Sequence, residues 1–590
     1  MAISLGSRSS RTTSRAVSRF LNDGMPSPFI LYPLSFILLS LPLVSSSALA
    51  QVHDHAAMGD GAASDSLTWR MPPMDMSMPM MPGMDNMVPT SAPYLPLNER
   101  EATLLPDVKP SELVTMADGD TLLLRATMVR QRFGNRYFAM FGYNGQIPGP
   151  LIRAPQGSRV VIRFENHIDQ PTTVHWHGLR LDNPFDGIAG VTQDPVEPHS
   201  SFVYELKFPD EGLYWYHPHI REDIQQDLGL YGNLLVEPSR TDALAPVNRE
   251  EVLVLDDLLV DAAGLIPYGA DAPTHALMGR FGNVMLVNGV PDYRLSVDEG
   301  EVVRFFLTNV ANARTFNVTF GSAKAKVVAS DVSRFEREVQ VESVPIAPAE
   351  RYIVDVLFDE PGEVAIANTI QAINHFRGEF YPHVDTLVMV SVGTQLADED
   401  LSAGFHELRD HEDVTRDIDR FRAEFDGPPD YELELTLTHQ NLPLMTIAMM
   451  QMDTLYVPPM EWNDAMPMMN WASTGNEVRW VLRDITTGKE NMDIEWSFRV
   501  GDVSKIRIFN APKSFHPMNH PIHIHGQRFL VLSMDGVPNR NQVWKDTAIV
   551  PVGSTMDILV DMSNPGTWML HCHISEHLQS GMMLTFTVAE

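Results

Sequence analysis

One ten-residue frame occurs three times in this chain, and it constrains the fold more than any other feature. Gly157-Ser-Arg-Val-Val-Ile-Arg-Phe-Glu-Asn166 is matched by Gly300 to Asn309 and by Gly501 to Asn510. In each copy a Gly leads to an Asn through a run rich in β-branched residues, which reads as a turn feeding a strand. A second frame closes each copy. Gly212 precedes LYWYHPH, Gly362 precedes EVAIA and Gly566 precedes TWMLHCH, so His217, Ala367 and His571 stand at matching places. Self-similarity of this kind describes one structural plan used several times. With short alternating strands and frequent Gly/Pro turns, it predicts an all-β chain of three sandwich or barrel domains. Their expected bounds are 96–240, 247–395 and 431–590, joined by an acidic linker over 396–430 with some helix. The middle copy lacks the histidines of the outer two.

Charge and the N-terminal segment narrow the setting. A net charge of −33 excludes a nucleic-acid partner, which needs a basic footprint. Arg8, Arg11, Arg15 and Arg19 precede an apolar run from Phe29 to Val44, and Ala48-Leu49-Ala50 offers a small-x-small cleavage site. Residues 1–50 therefore predict a Sec-type signal peptide and an exported protein, periplasmic or secreted. The run is short for a span and is broken by Pro33 and Pro42, so no stable membrane insertion is expected after its removal. Residues 51–95 are expected to form a disordered Met/His-rich tail.

Ten of the 21 histidines fall in four tight clusters: His175 and His177; His217 and His219; His520, His523 and His525; and His571, His573 and His577. In a strand, residues i and i+2 share a face while i+1 points away. Four pairs (175/177, 217/219, 523/525 and 571/573) thus offer eight imidazoles to one polymetal site. Cys572, the only cysteine, points opposite to its two neighbours, as His520 does relative to His523. His577 and Met582 follow after a turn. One thiolate, two imidazoles and a thioether describe a blue-copper electron-transfer site, although an HxH pair alone also suits zinc.

The segments HWHG, YWYHPH, HPIHIHG and HCHISEHLQSGM resemble the four copper motifs of the three-domain multicopper oxidases. The resemblance implies three cupredoxin-like Greek-key domains and four copper ions. It implies a type 1 copper at His520, Cys572, His577 and Met582, and a type 2 copper at His175 and His523. The type 3 pair would take His177, His217 and His573 on one ion and His219, His525 and His571 on the other. Substrate electrons would enter at type 1 and pass through Cys572 with His571 and His573 to the cluster, where O2 becomes water. Proton handling is expected of Asp186, nine residues after His177, and of Glu576. Bacterial members often carry an acid directly after the last motif histidine, where this chain has Leu578.

Two methionine-rich segments bear on the reductant. Residues 71–87 hold eight Met in seventeen residues, and residues 445–469 hold eight in twenty-five. Thioethers are soft ligands that favour Cu(I). Met445, Met449, Met450 and Met452, with Met518, are expected to form a Cu(I) path over the type 1 domain. The expected activity is oxidation of Cu(I), with phenols and aromatic amines as further reductants, in copper tolerance. The alternatives are a laccase acting mainly on phenols and a non-enzymatic copper-sequestering protein.

Overall fold

A computed structural model describes residues 94–374, 379–442, 460–462, 470, 473 and 475–590. Residues 1–50, expected to be an export signal, the Met-rich stretch at 71–87, and Met445, Met449, Met450 and Met452 lie outside the described residues. Within them the strands form three pairs of sheets. Both repeated frames have a structural meaning. The strands Arg159–Asn166, Glu301–Asn309 and Asp502–Asn510 are interior strands of the first sheet in each pair. Each has a parallel neighbour on one side and an antiparallel neighbour on the other. The closing strands Gly212–His217, Gly362–Asn374 and Gly566–Cys572 are interior to the second sheets.

The glycine and asparagine of the frame have separate tasks. Gly157, Gly300 and Gly501 turn with φ of 86°, 84° and 95°, a left-handed conformation that a side chain disfavours. The asparagines staple the far end. Asn309 Nδ2 donates to the carbonyls of Arg314 and Ile346, and its Oδ1 accepts from Ala311 N. Asn166 spans Gln170, Val196 and Ile168 in the same way, and Asn510 spans Met518 and Val550. All three are buried, so each closes backbone groups that water cannot reach.

The first and third sandwiches share packed residues: one hydrophobic core contains Trp176 and Trp215 together with Leu530, Trp544 and Leu559. The segment expected to be a linker packs into that core through Val414, Ile418 and Phe421. Trp544 Nε1 donates to Asp417, and Arg334 of the middle sandwich pairs with Asp413. Helices Ser402–His406 and Glu412–Asp419 lie in this stretch, which ties all three sandwiches together. A short strand, Met460–Trp462, leaves the third sandwich and pairs in parallel with Gln371–Ile373 of the middle one.

Replacing Asn309 by alanine leaves three buried backbone groups without partners. A loss of roughly 1–3 kcal/mol in unfolding free energy is expected, read as a lower denaturation midpoint. An unchanged midpoint would deny the staple role.

Candidate metal centres

Two strand pairs bring the histidines together. His175–His177 runs antiparallel to Gly212–His217, setting His175 opposite His217. In the third sandwich His520–Ile524 runs antiparallel to Gly566–Cys572, setting His523 opposite His571 and Ile522 opposite Cys572. The seam between the two sandwiches closes these pairs onto each other. His177 and His523 stack at 3.7 Å between ring centroids, and His175 and His525 lie 4.1 Å apart. Three sets have their ligand atoms within 4.8 Å of one another: His175, His177 and His523; His177, His217 and His573; His219, His525 and His571. Seven of the eight side chains are at most 1 % exposed, and His219 is 5 % exposed.

Seven of the eight rings are oriented by the nitrogen facing away from the cluster, His573 being the exception. Nδ1 of His175 donates to Asp186 O at 2.7 Å, His523 Nδ1 to Asp546 O at 2.9 Å, and His217 Nδ1 to Pro218 O at 2.9 Å. His571 Nδ1 donates to Cys572 O at 2.9 Å, and His525 Nδ1 to Asp186 Oδ2 at 3.0 Å. His177 is reversed, with Nε2 donating to Asp546 Oδ1 at 3.0 Å. His219 Nδ1 lies 3.1 Å from the buried Glu222 Oε1. These contacts leave Nε2 of His175, His217, His219 and His523, Nδ1 of His177 and both nitrogens of His573 buried without a hydrogen-bond partner among the described residues. Burial, reinforced by neighbouring rings, lowers His177, His217, His219, His525, His571 and His573 well below the usual histidine range, so these imidazoles are neutral. With their Nδ1 protons committed, Nε2 of His525 and Nε2 of His571 face each other as lone pairs at 3.0 Å. Neutral, desolvated, convergent nitrogens are a poor arrangement for a protein alone and a good one for soft-to-borderline cations.

On the other side of the same strand lies a second group. Cys572 Sγ is 3.4 Å from His520 Nδ1 and 3.8 Å from His577 Nδ1, and it accepts from Ile574 N at 3.5 Å. Met582 is fully buried and folds back on this loop, its N donating to His577 O and its O accepting from Cys572 N. Burial pushes the Cys572 thiol up and His520 down to about 3, so a bound cation would be needed to hold this sulfur as a thiolate. The middle sandwich covers the group. His577 Nε2 donates to Leu277 O at 3.1 Å, and Trp480, whose ring lies 4.0 Å from that of His577, donates to Ala276 O. Met518 is part of the packed core that also contains Cys572 and Met582.

The acids divide in role. Asp186, 1 % exposed, holds both His175 and His525. Glu576 accepts instead from Asn312 of the middle sandwich at 3.1 Å and borders a cleft of about 290 Å³ with Asp223, His275 and Arg280. Burial, with Asp223 and Asp227 adding, pushes Glu576 up to about 8. Leu578 packs against Ile188 and Met569 as an apolar plug. Sequence reasoning missed Arg351, Asp546, Thr547 and Glu222, which touch or back the cluster. Glu222, three residues after His219, carried a faint local signal, whereas no spacing rule connects 351 with 546.

Sequence profiles described as multicopper oxidase match residues 127–241, 260–388 and 463–590, together more than half of the chain. The chain is 26 % identical over 496 residues to Multicopper oxidase MmcO of Mycobacterium tuberculosis, covering 78 % of this chain and 86 % of that one. It is 27 % identical over 455 residues to Laccase-1 of Fomitopsis schrenkii, covering 74 % and 80 %. Among solved structures, the multicopper oxidase of Campylobacter jejuni, titled a metallo-oxidase, shares the fold with a TM-score of 0.61 at 20 % identity, over 86 % of this chain and 99 % of that one. The protein belongs to the multicopper oxidase family: it is a laccase-like, copper-dependent oxidoreductase that uses O2 and is built from cupredoxin-like β-domains.

Proposed function

We propose that the chain holds four copper ions and couples one-electron oxidation of Cu(I) to reduction of O2 to water, as an exported protein of copper tolerance. Type 1 copper would be held by His520, Cys572 and His577 with Met582, and type 2 by His175 and His523. The type 3 pair is assigned to His177, His217 and His573, and to His219, His525 and His571. The observation that carries this reading is the strand Gly566–Cys572, whose end presents Cys572 to one group and His571 and His573 to the other.

Copper in these positions supplies the one-electron redox chemistry and the reduction of O2, four electrons and four protons giving two waters. The chain supplies geometry. Cys572 and its flanking histidines form a direct covalent connection between the two groups. Asp186 holds the protons of His175 and His525 on the outward nitrogens, and Asp546 does so for His177 and His523. Burial of every ring keeps bulk water away from the reacting centre.

Cu(I) is favoured as reductant by the eight methionines of residues 445–469, soft ligands for this ion, and by the contacts of the described residues in and beside that stretch. Its strand Met460–Trp462 lies on the middle sandwich. Just beyond it, Asn470 accepts from Thr274 N and Oγ1 at 2.9 and 2.7 Å. Thr274 belongs to helix Ala272–Met278, the same helix that caps His577. The described residues Met460–Trp462 and Asn470 thus both contact the middle sandwich, whose helix Ala272–Met278 covers the type 1 position. A second reading, oxidation of small phenols and aromatic amines, draws on the cleft beside Glu576, which is near the small end of ligand-sized cavities.

Copper-loaded protein should be blue, and Cys572→Ser colourless and without steady oxygen uptake; a blue Cys572→Ser protein overturns the type 1 assignment. Deleting residues 445–469 should lower Cu(I)-dependent oxygen uptake several-fold and raise turnover of a phenol. Intact Cu(I) oxidation with no gain in phenol turnover after deletion sinks the role of this segment, whereas loaded wild type that takes up no oxygen with Cu(I) sinks the Cu(I) reading and leaves the phenol oxidase. Stripping copper with a chelator should lower the unfolding temperature, and adding copper back should restore it, because the ion binds the folded site.

A further inference from the structure

The middle sandwich contributes no histidine to either assigned centre, yet it sends a buried cation to the cluster. Arg351 opens the strand Arg351–Phe358 and is 0 % exposed. Its Nη1 and Nη2 donate to Asp546 Oδ1 and Oδ2, both at 2.6 Å, a fork-on-fork pair. Its Nε donates to Leu213 O at 2.8 Å, on the strand that carries His217. Three sandwiches therefore meet at one guanidinium.

Asp546 passes that constraint inward. Its Oδ1 accepts from His177 Nε2 at 3.0 Å and from Thr547 Oγ1 at 2.8 Å, while its backbone carbonyl accepts from His523 Nδ1. These are the two stacked rings of the cluster. Among the seven rings with a defined outward partner His177 alone is reversed, so Asp546 decides which of its nitrogens faces the metal. The glycine of HWHG belongs to the same arrangement. A Cβ on Gly178 would lie 2.3 Å from Asp546 Oδ2 and 2.8 Å from Arg351 Nη2. The motif glycine makes room for the ion pair.

We propose that Arg351 is a positioning residue of the histidine cluster: by fixing the Asp546 carboxylate it sets the tautomer of His177 and the rotation of His523. The middle sandwich is then the third wall of the cluster. This rests on the assignment of copper to the eight histidines, and the experiment separates the two. Wild-type protein lacking cluster copper by metal analysis and near-ultraviolet absorption overturns the copper assignment and the proposal with it.

Given a loaded wild type, Arg351→Met should keep the blue band of the Cys572 site. Its cluster copper affinity and oxygen uptake should fall about 10- to 100-fold, the usual effect of removing a group that orients a metal ligand. Arg351→Lys should recover only part of this, since an ammonium cannot reproduce the fork. Should Arg351→Met fail to fold, Asp546→Asn, isosteric and neutral, carries the test through the same readouts. Cluster copper unchanged in folded Asp546→Asn overturns the proposal. So does loss of the blue band in parallel with cluster copper in Arg351→Lys and Asp546→Asn, which would mark a structural ion pair only.

Discussion

A buried imidazole has two nitrogens to satisfy, and the seam between the first and third sandwiches buries eight of these rings at once. That requirement organises the site. One nitrogen of each ring whose partner is defined is tied to a backbone carbonyl or a carboxylate, and the other is left facing its fellows. The ties come from elements far apart in the chain: Asp186 after a 3-10 turn of the first sandwich and Asp546 before a strand of the third. Neutral rings with converging lone pairs are better satisfied with cations among them, so metal binding would add to the stability of the fold.

The same strand that closes the cluster makes the second group. Because successive side chains alternate, Cys572 can face His520 and His577 while His571 and His573 face the cluster. The middle sandwich, which offers no histidine to either centre, acts on both through other atoms. The Leu277 carbonyl takes His577 Nε2, and Arg351 grips Asp546. Loss of metal ligands from the middle copy did not remove it from the site.

Much of this was legible in the chain. The Gly-to-Asn frame located an interior strand in each sandwich because the left-handed turn and the buried staple are both local demands, readable from residue type. Parity grouped the histidines that the sheets bring together, since alternation is a property of any strand. Other features were out of reach. Asp186 shows as a carboxylate near a motif, but its bond to His525 spans 339 positions. Glu576 neighbours His577 in sequence and turns toward Asn312, because the helix Ser575–Gln579 directs its face to the middle sandwich. Residues 396–430 read as an acidic linker, and their few apolar residues complete the shared core.

The β-class, the threefold plan and the grouping of the candidate metal-ligating side chains were set by the sequence alone, because turn geometry and strand alternation act over a few residues. Only the tertiary structure decided which ring nitrogen faces inward, that a guanidinium of the blank sandwich reaches the cluster, and which helix covers His577. Some ring ties are local, as for His217 and His571, but the decisive ones join residues tens to hundreds of positions apart, such as Arg351 and Asp546, where packing and desolvation choose the partner.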